Sequence, residues 1–211
     1  MVSNKKYQLV LASQSPRRKE LLGWIDVPFI IFKSEIEEHS ESHDPVTFAE
    51  EIASSKGNDV WDKLEGGEYS NPFIVAADTI VEFKGEIFGK PKNEEEAESM
   101  LMKLSGQTHN VVTSVFFKAK FAGKIKQHVF SIKTEVTFNK IDKDILAPYL
   151  TSKESLDKAG AYGIQGKGLT FVKSIKGSYS NVVGFPLVEF LDSLKDFLEW
   201  NKASNWRENF Q

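Results

Sequence analysis

The sequence contains no cysteine, and this absence removes several kinds of chemistry at once. The chain can have no disulfide framework, no thiol nucleophile and no cysteine-ligated zinc or iron–sulfur site. Long apolar runs are also absent, since none reaches the roughly 18 residues that a membrane-spanning helix needs. Residues 1–6 are polar, and the apolar stretch at 9–12 is too short for a signal peptide. We therefore expect a cytoplasmic protein with no membrane partner.

Neither sign of charge dominates the chain. Lysine and arginine together number 27, aspartate and glutamate 30, and the formal net charge is −3. This balance argues against a protein that coats nucleic acid, although a local basic pocket remains compatible with it. With 211 residues, of which 40% are hydrophobic and 27% charged, the composition is that of an ordinary globular protein. One large domain or two small lobes fit this length.

Several common catalytic motifs are missing. There is no G-x-x-x-x-G-K-[ST], no G-x-S-x-G and no H-E-x-x-H, and the glycines do not form a dinucleotide-binding fingerprint. These absences argue against a P-loop kinase, a serine hydrolase, a zinc protease and a Rossmann dehydrogenase.

Helical and strand patterns are mixed along the chain. Residues 73–77 form an apolar run typical of a central strand, and residues 130–138 alternate apolar and polar side chains, which indicates antiparallel pairing. Turn residues predict hairpins at Lys84-Gly85 and Lys176-Gly177, and the second makes residues 180–183 a strand. The predicted fold class is α/β, a mixed twisted sheet flanked by helices, with two lobes and a cleft between them.

Two stretches are poor in regular patterns. Residues 63–72 cluster glycine, serine, asparagine and proline, which predicts a solvated loop inside a domain. Residues 201–211 are polar, and whether Trp206 and Phe210 pack back onto the body of the protein is left open.

A helix start follows directly on an apolar strand near the N-terminus. Ser15 is a good N-cap, and Pro16 suits the first helical position. A helix N-terminus offers unpaired N–H groups and a partial positive charge, and Ser13, Arg17 and Arg18 would add donors. The segment is therefore suited to binding phosphate. The alternative is an ordinary helix start whose arginines point to solvent.

Three further polar side chains stand where a ligand could reach them. Asp78 directly follows the strand predicted at 73–77, where burial would suit it to general-base work or metal ligation. Lys90 precedes Pro91, which holds it in extended backbone. Gln165 lies in a glycine-rich loop, residues 158–168, that a flat ligand could approach, and its amide could pair with a base edge. Each has an ordinary structural alternative. Asp78 could be a capping residue, Lys90 a solvated loop lysine, and the loop of Gln165 purely structural.

These segments, in this order, resemble the Maf family of nucleoside triphosphate pyrophosphatases. The resemblance covers roughly residues 7–198, nearly the whole chain. The matching segments are Leu11-Ala-Ser-Gln-Ser-Pro-Arg-Arg-Lys-Glu-Leu-Leu, Ala77-Asp-Thr-Ile-Val, Gly89-Lys-Pro, Leu104-Ser-Gly-Gln-Thr-His, Asp157-Lys-Ala-Gly-Ala-Tyr-Gly-Ile-Gln-Gly and Gly177-Ser-Tyr-Ser-Asn-Val-Val-Gly-Phe-Pro-Leu. If each segment had only its ordinary structural explanation, the segments would not be expected to occur together in this order. The resemblance therefore outweighs the alternatives given for each segment.

The resemblance implies an activity and a fold. The activity is hydrolysis of a nucleoside triphosphate, as substrate, to monophosphate and pyrophosphate with a divalent metal cation, Mg²⁺ or Mn²⁺. The implied fold is a single domain over residues 1–211, similar to the inosine triphosphate pyrophosphatases, with a curved mixed sheet and a central cleft. The family is often dimeric, which leaves a homodimer open.

The resemblance also implies roles for individual residues. Asp78 matches the catalytic acidic residue and, with Glu38, a metal ligand. The matching substrate-binding residues are Ser13, Arg17, Arg18, Lys56 and Lys90. The positions that mark the branch preferring dTTP and UTP over methylated GTP are Arg17, Thr79 and Gln165. The setting of Lys56 departs mildly from the family pattern, because Gly57 replaces the usual alanine.

Two other functions are compatible with parts of the sequence. A nucleotide-sensing, partner-binding protein with little turnover would be expected to have lost Asp78 or a lysine, and none is missing. A sugar-nucleotide glycosyltransferase would need a D-x-D metal motif. Asp142-Lys-Asp144 fits that pattern formally, but capping of a helix predicted over 141–150 explains it better.

Overall fold

The computed structural model describes residues 6–67, 71–121 and 123–211, and within them seven strands form one mixed sheet. The strands are β1 (Gln8–Leu11), β2 (Phe29–Ile31), β3 (Pro72–Phe83), β4 (Glu86–Phe88), β5 (Thr108–Phe121), β6 (Lys124–Phe138) and β7 (Val172–Lys176). The α-helices are α1 (Pro16–Gly23), α2 (Pro45–Leu64), α3 (Glu94–Leu104), α4 (Lys143–Thr151), α5 (Tyr179–Val183) and α6 (Leu187–Phe197). The α/β class is confirmed.

The sheet changes from parallel to antiparallel along its strand order, which is β2-β1-β3-β5-β6-β7 with β4 paired to β3. β1 is parallel to both β2 and β3, because α1 and α2 provide the crossover connections. All later pairs are antiparallel, and the alternating pattern of β6 predicted this for the pairs that β6 makes with β5 and β7. None of the helices described is long and apolar enough to cross a membrane.

Local signals in the sequence explain where the helices and the first hairpin begin. The Ser15 side chain accepts the N–H of Arg18 at the start of α1, and Pro16 is the first helical residue. Asn93 Oδ1 accepts the N–H of Glu96 at 2.8 Å at the start of α3. The β3–β4 turn has positive φ at Lys84 and Gly85, as the predicted two-residue hairpin requires.

β3 is longer than predicted, and Asp78 lies within it rather than after it. The strand pairs with β5 from Phe73 to Glu82, and Asp78 is opposite Ser114. The prediction ended the strand too early because aspartate is disfavoured in strands. Here the long partner strand supplies backbone pairing on both sides of the carboxylate.

Residues 180–183 are helical, so the predicted strand there is wrong. They belong to α5, and β7 pairs with β6 instead. Gly184 ends α5 with φ of 109°, and its N–H binds the carbonyls of Ser180 and Asn181. The two β-branched valines of this segment favour a strand, but the left-handed backbone of Gly184 closes the C-terminus of a helix.

Two large apolar clusters occupy opposite ends of the long strands. On β3, Phe73 and Val75 belong to the first cluster, and Val81 belongs to the second. α1 and α6 complete the first cluster, and α3 and α4 complete the second. We identify these clusters as the two predicted lobes. Asp78 and Thr79 lie where β3 passes from one lobe to the other.

The C-terminal segment packs onto the first lobe. Trp206 and Phe210 are buried, and Phe210 makes a parallel bridge with Tyr7. The question that the sequence left open is therefore answered in favour of packing. Of the loop predicted at 63–72, residues 68–70 lie outside the described residues, and α2 and β3 occupy its ends.

Candidate active site

A cleft of about 660 Å³ lies at the junction of the two lobes, within the size range of small-molecule sites. It receives side chains from β1–α1, α2, β3, the loop after β4 and the glycine-rich loop. Every site residue predicted from the sequence lines this cleft, namely Ser13, Arg17, Arg18, Glu38, Lys56, Asp78, Thr79, Lys90 and Gln165. Residues spread over 153 positions of the chain are thus brought together.

A lysine between two carboxylates forms the centre of the cleft. Lys56 Nζ is 2.7 Å from Asp78 Oδ1 and 2.8 Å from Glu38 Oε1. Lys56 points at the sheet because it shares a face of α2 with Ile52 and Val60, which are four residues away on either side and are buried. An ammonium group has three donors, so two bonds leave one N–H of Lys56 for a ligand.

Gly57 allows α2 to approach the sheet closely. A Cβ at this position would lie 2.2 Å from a ring carbon of Phe116 on β5, which is a forbidden contact. The departure from the usual alanine is therefore explained by the phenylalanine on the facing strand, and it leaves Lys56 in place.

Opposing influences act on the carboxyl group of Glu38. Burial acts to raise its pKa, but the charge and hydrogen bond of Lys56, followed by the charges of Lys90 and Arg18, outweigh burial and lower the pKa. Glu38 is therefore ionised at neutral pH. Lys90 itself is exposed on the cleft wall, where its charge reaches Glu38.

Arg18 also lines the cleft, and its guanidinium binds protein oxygen atoms rather than pointing freely to solvent. Its Nε donates to Gly184 O at 2.9 Å, and its terminal nitrogens donate to Thr79 Oγ1 at 3.0 Å and Ser13 Oγ at 3.4 Å. Burial lowers the pKa of the guanidinium, while the charge of Asp78 acts to raise it. Three contacts fix Arg18 beside the N-terminus of α1.

The donor set suits a divalent cation. Glu38 and Asp78 present carboxylate oxygens to one cationic centre, now the Lys56 ammonium. Mg²⁺ is usually held by one or two carboxylates, with phosphate oxygens and water completing its shell. Within the described parts of the chain, no three His, Asp or Glu side chains cluster to form a metal site made by protein alone.

Comparison with known proteins agrees with the motifs. A family model described as Maf-like protein matches residues 8–197. The chain belongs to the Maf family. Among its relatives is a dTTP/UTP pyrophosphatase of Bacillus cereus (strain G9842), 44% identical over 191 residues that cover 90% of this chain and 95% of the relative. Proteins of the same name from Bacillus mycoides (strain KBAB4) and Bacillus cereus (strain AH187) are 44% and 45% identical, with the same coverage of both chains.

The glycine-rich loop of this Maf-family protein is held from two sides. Gly160 and Ala161 both have positive φ, and Tyr149 donates its hydroxyl hydrogen to Ala161 O at 3.1 Å. The next residue, Tyr162, makes a buried 2.8 Å hydrogen bond with His109 Nε2. These contacts hold the backbone that carries Gln165, whose exposed side chain lies on the cleft wall.

Asp157 and Lys158 are cleft residues to which the sequence analysis assigned no role. Asp157 binds Arg17 at 3.2 Å and also binds Lys158. Burial acts to raise the pKa of Asp157, but Lys158 and Arg17 outweigh it and lower the pKa. Their position at the start of the glycine-rich loop, within a Maf motif, was the signal that could have found them.

The D-x-D alternative gains no support from the structure. Asp142 and Asp144 stand at the start of α4 and are not among the described residues that line the cleft. Asp142 occupies the N-cap position, although no side-chain capping bond is formed.

Proposed function

We propose that this protein hydrolyses nucleoside triphosphates, with dTTP and UTP preferred, to the monophosphate and pyrophosphate. The observation that carries the proposal is the Lys56 ammonium held between Asp78 and Glu38 in a cleft walled by the start of α1. The names of the Maf-family relatives support the same activity. We further propose that one domain over residues 1–211 acts in the cytoplasm, and that a homodimer, as in much of the family, is its assembly.

Binding of the triphosphate rests on positive charge in the cleft. Phosphoryl transfer is catalysed mainly by positioning and charge neutralisation. Arg17, Arg18, Lys56 and Lys90 supply charged donors, and the N-terminus of α1 adds the partial positive charge of its helix dipole. The hydroxyl of Ser13 completes this set. The net charge of −3 is no obstacle, since the positive charge is local.

Asp78 is our candidate for the general base. A water oxygen bonds to the α- or the β-phosphorus, the bond from that same phosphorus to the oxygen bridging the two phosphates breaks, and the bridging oxygen leaves with the other phosphate group. Asp78 accepts the proton that the water loses. Lys56 donates a hydrogen bond to Asp78 Oδ1 and can direct its third N–H to the phosphates.

Glu38 and Asp78 are the residues that would hold a divalent cation, Mg²⁺ or Mn²⁺. Such a cation, when bound, neutralises phosphate charge and makes water easier to deprotonate. The fit of the two carboxylates to a single cationic centre is what supports this assignment.

Base selection is assigned to Gln165, with Arg17 and Thr79 shaping the pocket. The Gln165 amide carries both a donor and an acceptor, which match the N3–H and carbonyl pattern of uracil and thymine. Cytosine lacks the N3–H, and a buried mismatch of polar groups can be rejected strongly.

A nucleotide sensor with little turnover is the competing proposal. It would not need a base next to its phosphate-binding lysine, and the close pairing of Asp78 with Lys56 therefore favours an enzyme.

One screen tests the function directly. Purified protein is incubated with each common and modified nucleoside triphosphate and Mg²⁺ or Mn²⁺, and pyrophosphate and monophosphate are quantified. We expect equal amounts of both products, fastest from dTTP and UTP. Tight nucleotide binding without pyrophosphate release would favour the sensor, and release of orthophosphate alone would contradict the proposed bond cleavage.

A further inference from the structure

A row of hydrogen-bonded groups leads from the cleft into the sheet. Thr79 lines the cleft, and its Oγ1 is 3.0 Å from Oγ1 of Thr113 on the neighbouring strand β5. Thr113 Oγ1 is in turn 3.0 Å from the backbone oxygen of Asn181 in α5. Thr113 is fully buried and is not among the described residues that line the cleft.

The two ends of this row determine which way its hydrogens point. A guanidinium can only donate, so the 3.0 Å contact between Arg18 and Thr79 uses a lone pair of Thr79. A carbonyl can only accept, so the contact between Thr113 and Asn181 uses the single hydroxyl hydrogen of Thr113. Thr113 therefore has only lone pairs left for Thr79. The hydroxyl hydrogen of Thr79 points into the protein.

One other acceptor competes for that hydrogen. Gly184 O lies 3.5 Å from Thr79 Oγ1, which is longer than the 3.0 Å contact with Thr113, and it already accepts from Arg18 Nε at 2.9 Å. Hydrogen bonds between hydroxyls and oxygen acceptors weaken well before 3.5 Å, so Thr113 is the better acceptor.

The acceptor at the far end is firmly held. The side-chain amide of Asn181 donates to Val111 O at 3.1 Å and to Thr134 Oγ1 at 3.0 Å, and Asn181 is fully buried. These bonds anchor the backbone oxygen that takes the Thr113 hydrogen. The direction of the row is therefore built into the fold rather than left to a mobile side chain.

We propose that Thr113 is a positioning residue that fixes the Thr79 hydroxyl as a hydrogen-bond acceptor toward the cleft. The Thr79 hydroxyl donates its hydrogen to Thr113 and accepts from Arg18 with one lone pair, which leaves one lone pair for a ligand. The site then favours a nucleotide that presents a donor at this point. This inference rests on the proposed function, and two groups of a dTTP molecule have this chemistry: the N3–H of the base and the 3′-hydroxyl of the sugar.

The test compares substrates that have or lack each donor. For dTTP, N3-methyl-dTTP and 3′-deoxy-dTTP, kcat/KM is measured in wild type and in Thr113→Val, which keeps the branched shape but removes the hydroxyl. In wild type we expect one analogue to be a poorer substrate than dTTP. In Thr113→Val we expect that penalty to shrink by about fivefold, the effect of one neutral hydrogen bond. The analogue affected identifies the donor that Thr79 accepts.

Two control variants separate orientation from folding. Thr113→Ser retains the hydroxyl and is expected to restore the wild-type penalty. Thr108→Val breaks a comparable hydroxyl pair, with Thr137 at 2.9 Å, on the exposed end of the same strand and is expected to change neither ratio. The bulk of the methyl group in N3-methyl-dTTP cannot explain a difference between wild type and Thr113→Val. Thr113 lies outside the cleft wall, so the methyl group meets the same surface in both proteins. If Thr113→Val does not fold, Thr113→Ala takes its place.

Penalties that are the same in wild type and in Thr113→Val for both analogues would overturn the inference. Its failure is distinct from failure of the proposed function. If wild type turns over no triphosphate, dissociation constants of the same three nucleotides, measured by calorimetry, give the same ratios without any need for catalysis.

Discussion

Lys56 Nζ lies 2.7 Å from Asp78 Oδ1 and joins the middle of α2 to the middle of β3 inside the cleft. Asp78 is only 6% exposed, and the Lys56 side chain only 12%. A charge buried to this extent is costly unless it is paired, so removing one partner leaves the other uncompensated. The pair explains why an aspartate is tolerated within a strand.

Replacing Asp78 with asparagine should lower turnover and keep nucleotide binding. The amide cannot accept the proton from water, so we expect kcat to fall by about 10²–10⁴-fold, the contribution of a general base. Lys56 keeps Glu38 as its partner, which preserves the cleft. The measurements are kcat by pyrophosphate release and nucleotide affinity by calorimetry. Asp142→Asn, at the start of α4, is the control. A kcat near the wild-type value in a folded Asp78→Asn protein would rule Asp78 out as the base.

Replacing Lys56 or Lys90 with methionine should weaken triphosphate binding more than monophosphate binding. Charge-assisted hydrogen bonds contribute about 1.5–3 kcal/mol each, and only the longer ligand reaches all the cations. Lys56→Met should also lower stability, because Asp78 and Glu38 lose their shared counterion. Calorimetry with UTP and UMP measures the difference. Lys92→Met, at an exposed lysine close in sequence to Lys90, should bind both nucleotides normally. Equal losses for UTP and UMP would indicate that the two lysines are structural.

Replacing Gln165 with alanine should reduce base selection more than catalysis. Removing the amide removes the donor and acceptor that we assign to the uracil or thymine edge, so the preference for UTP over CTP should fall about tenfold. The measurement is kcat/KM for dTTP, UTP, CTP and GTP. Gln127→Ala, at an exposed glutamine of β6, is the control. A uniform loss on all four substrates would mean that Gln165 only supports its loop.

The free energy of unfolding should decrease when the solution is acidified, because of His109. Burial lowers the pKa of His109 from 6.5 to about 4, so the unfolded chain takes up the proton first as the pH falls. The stabilisation is complete above pH 6.5 and is lost as the pH falls toward 4, by about 2 kcal/mol between pH 7 and pH 5.

Urea unfolding at pH 7 and pH 5 measures this loss in wild type and in His109→Gln. Glutamine does not titrate and can still bond to Tyr162, the partner of His109. The variant should therefore lose less free energy of unfolding between the two pH values than wild type. Identical losses in the two proteins would show that His109 is not the group responsible.

Much of the candidate site was predictable because short motifs carry it. All nine residues picked out by the motifs line one cleft, although their roles stay predictions. Which residues pair was not predictable. Arg17 and Asp157, for example, are 140 positions apart and belong to different motifs.

The sequence by itself determined the features that depend on neighbours along the chain. Ser15, Asp44 and Asn93 each cap a helix through a bond to the third residue after them, and Lys84-Gly85 turns a hairpin through its own backbone angles. Such interactions close over a few residues, so a local pattern is enough to predict them.

Only the tertiary structure decided the features that depend on distant partners. Asp78 remains within a strand because Lys56, 22 positions earlier, neutralises it. Asn181 lies in a helix rather than a strand, with side-chain bonds to Val111 and Thr134 at 70 and 47 positions away. A buried charge or amide is stable only where its partner is present, and a local pattern does not carry that partner's position.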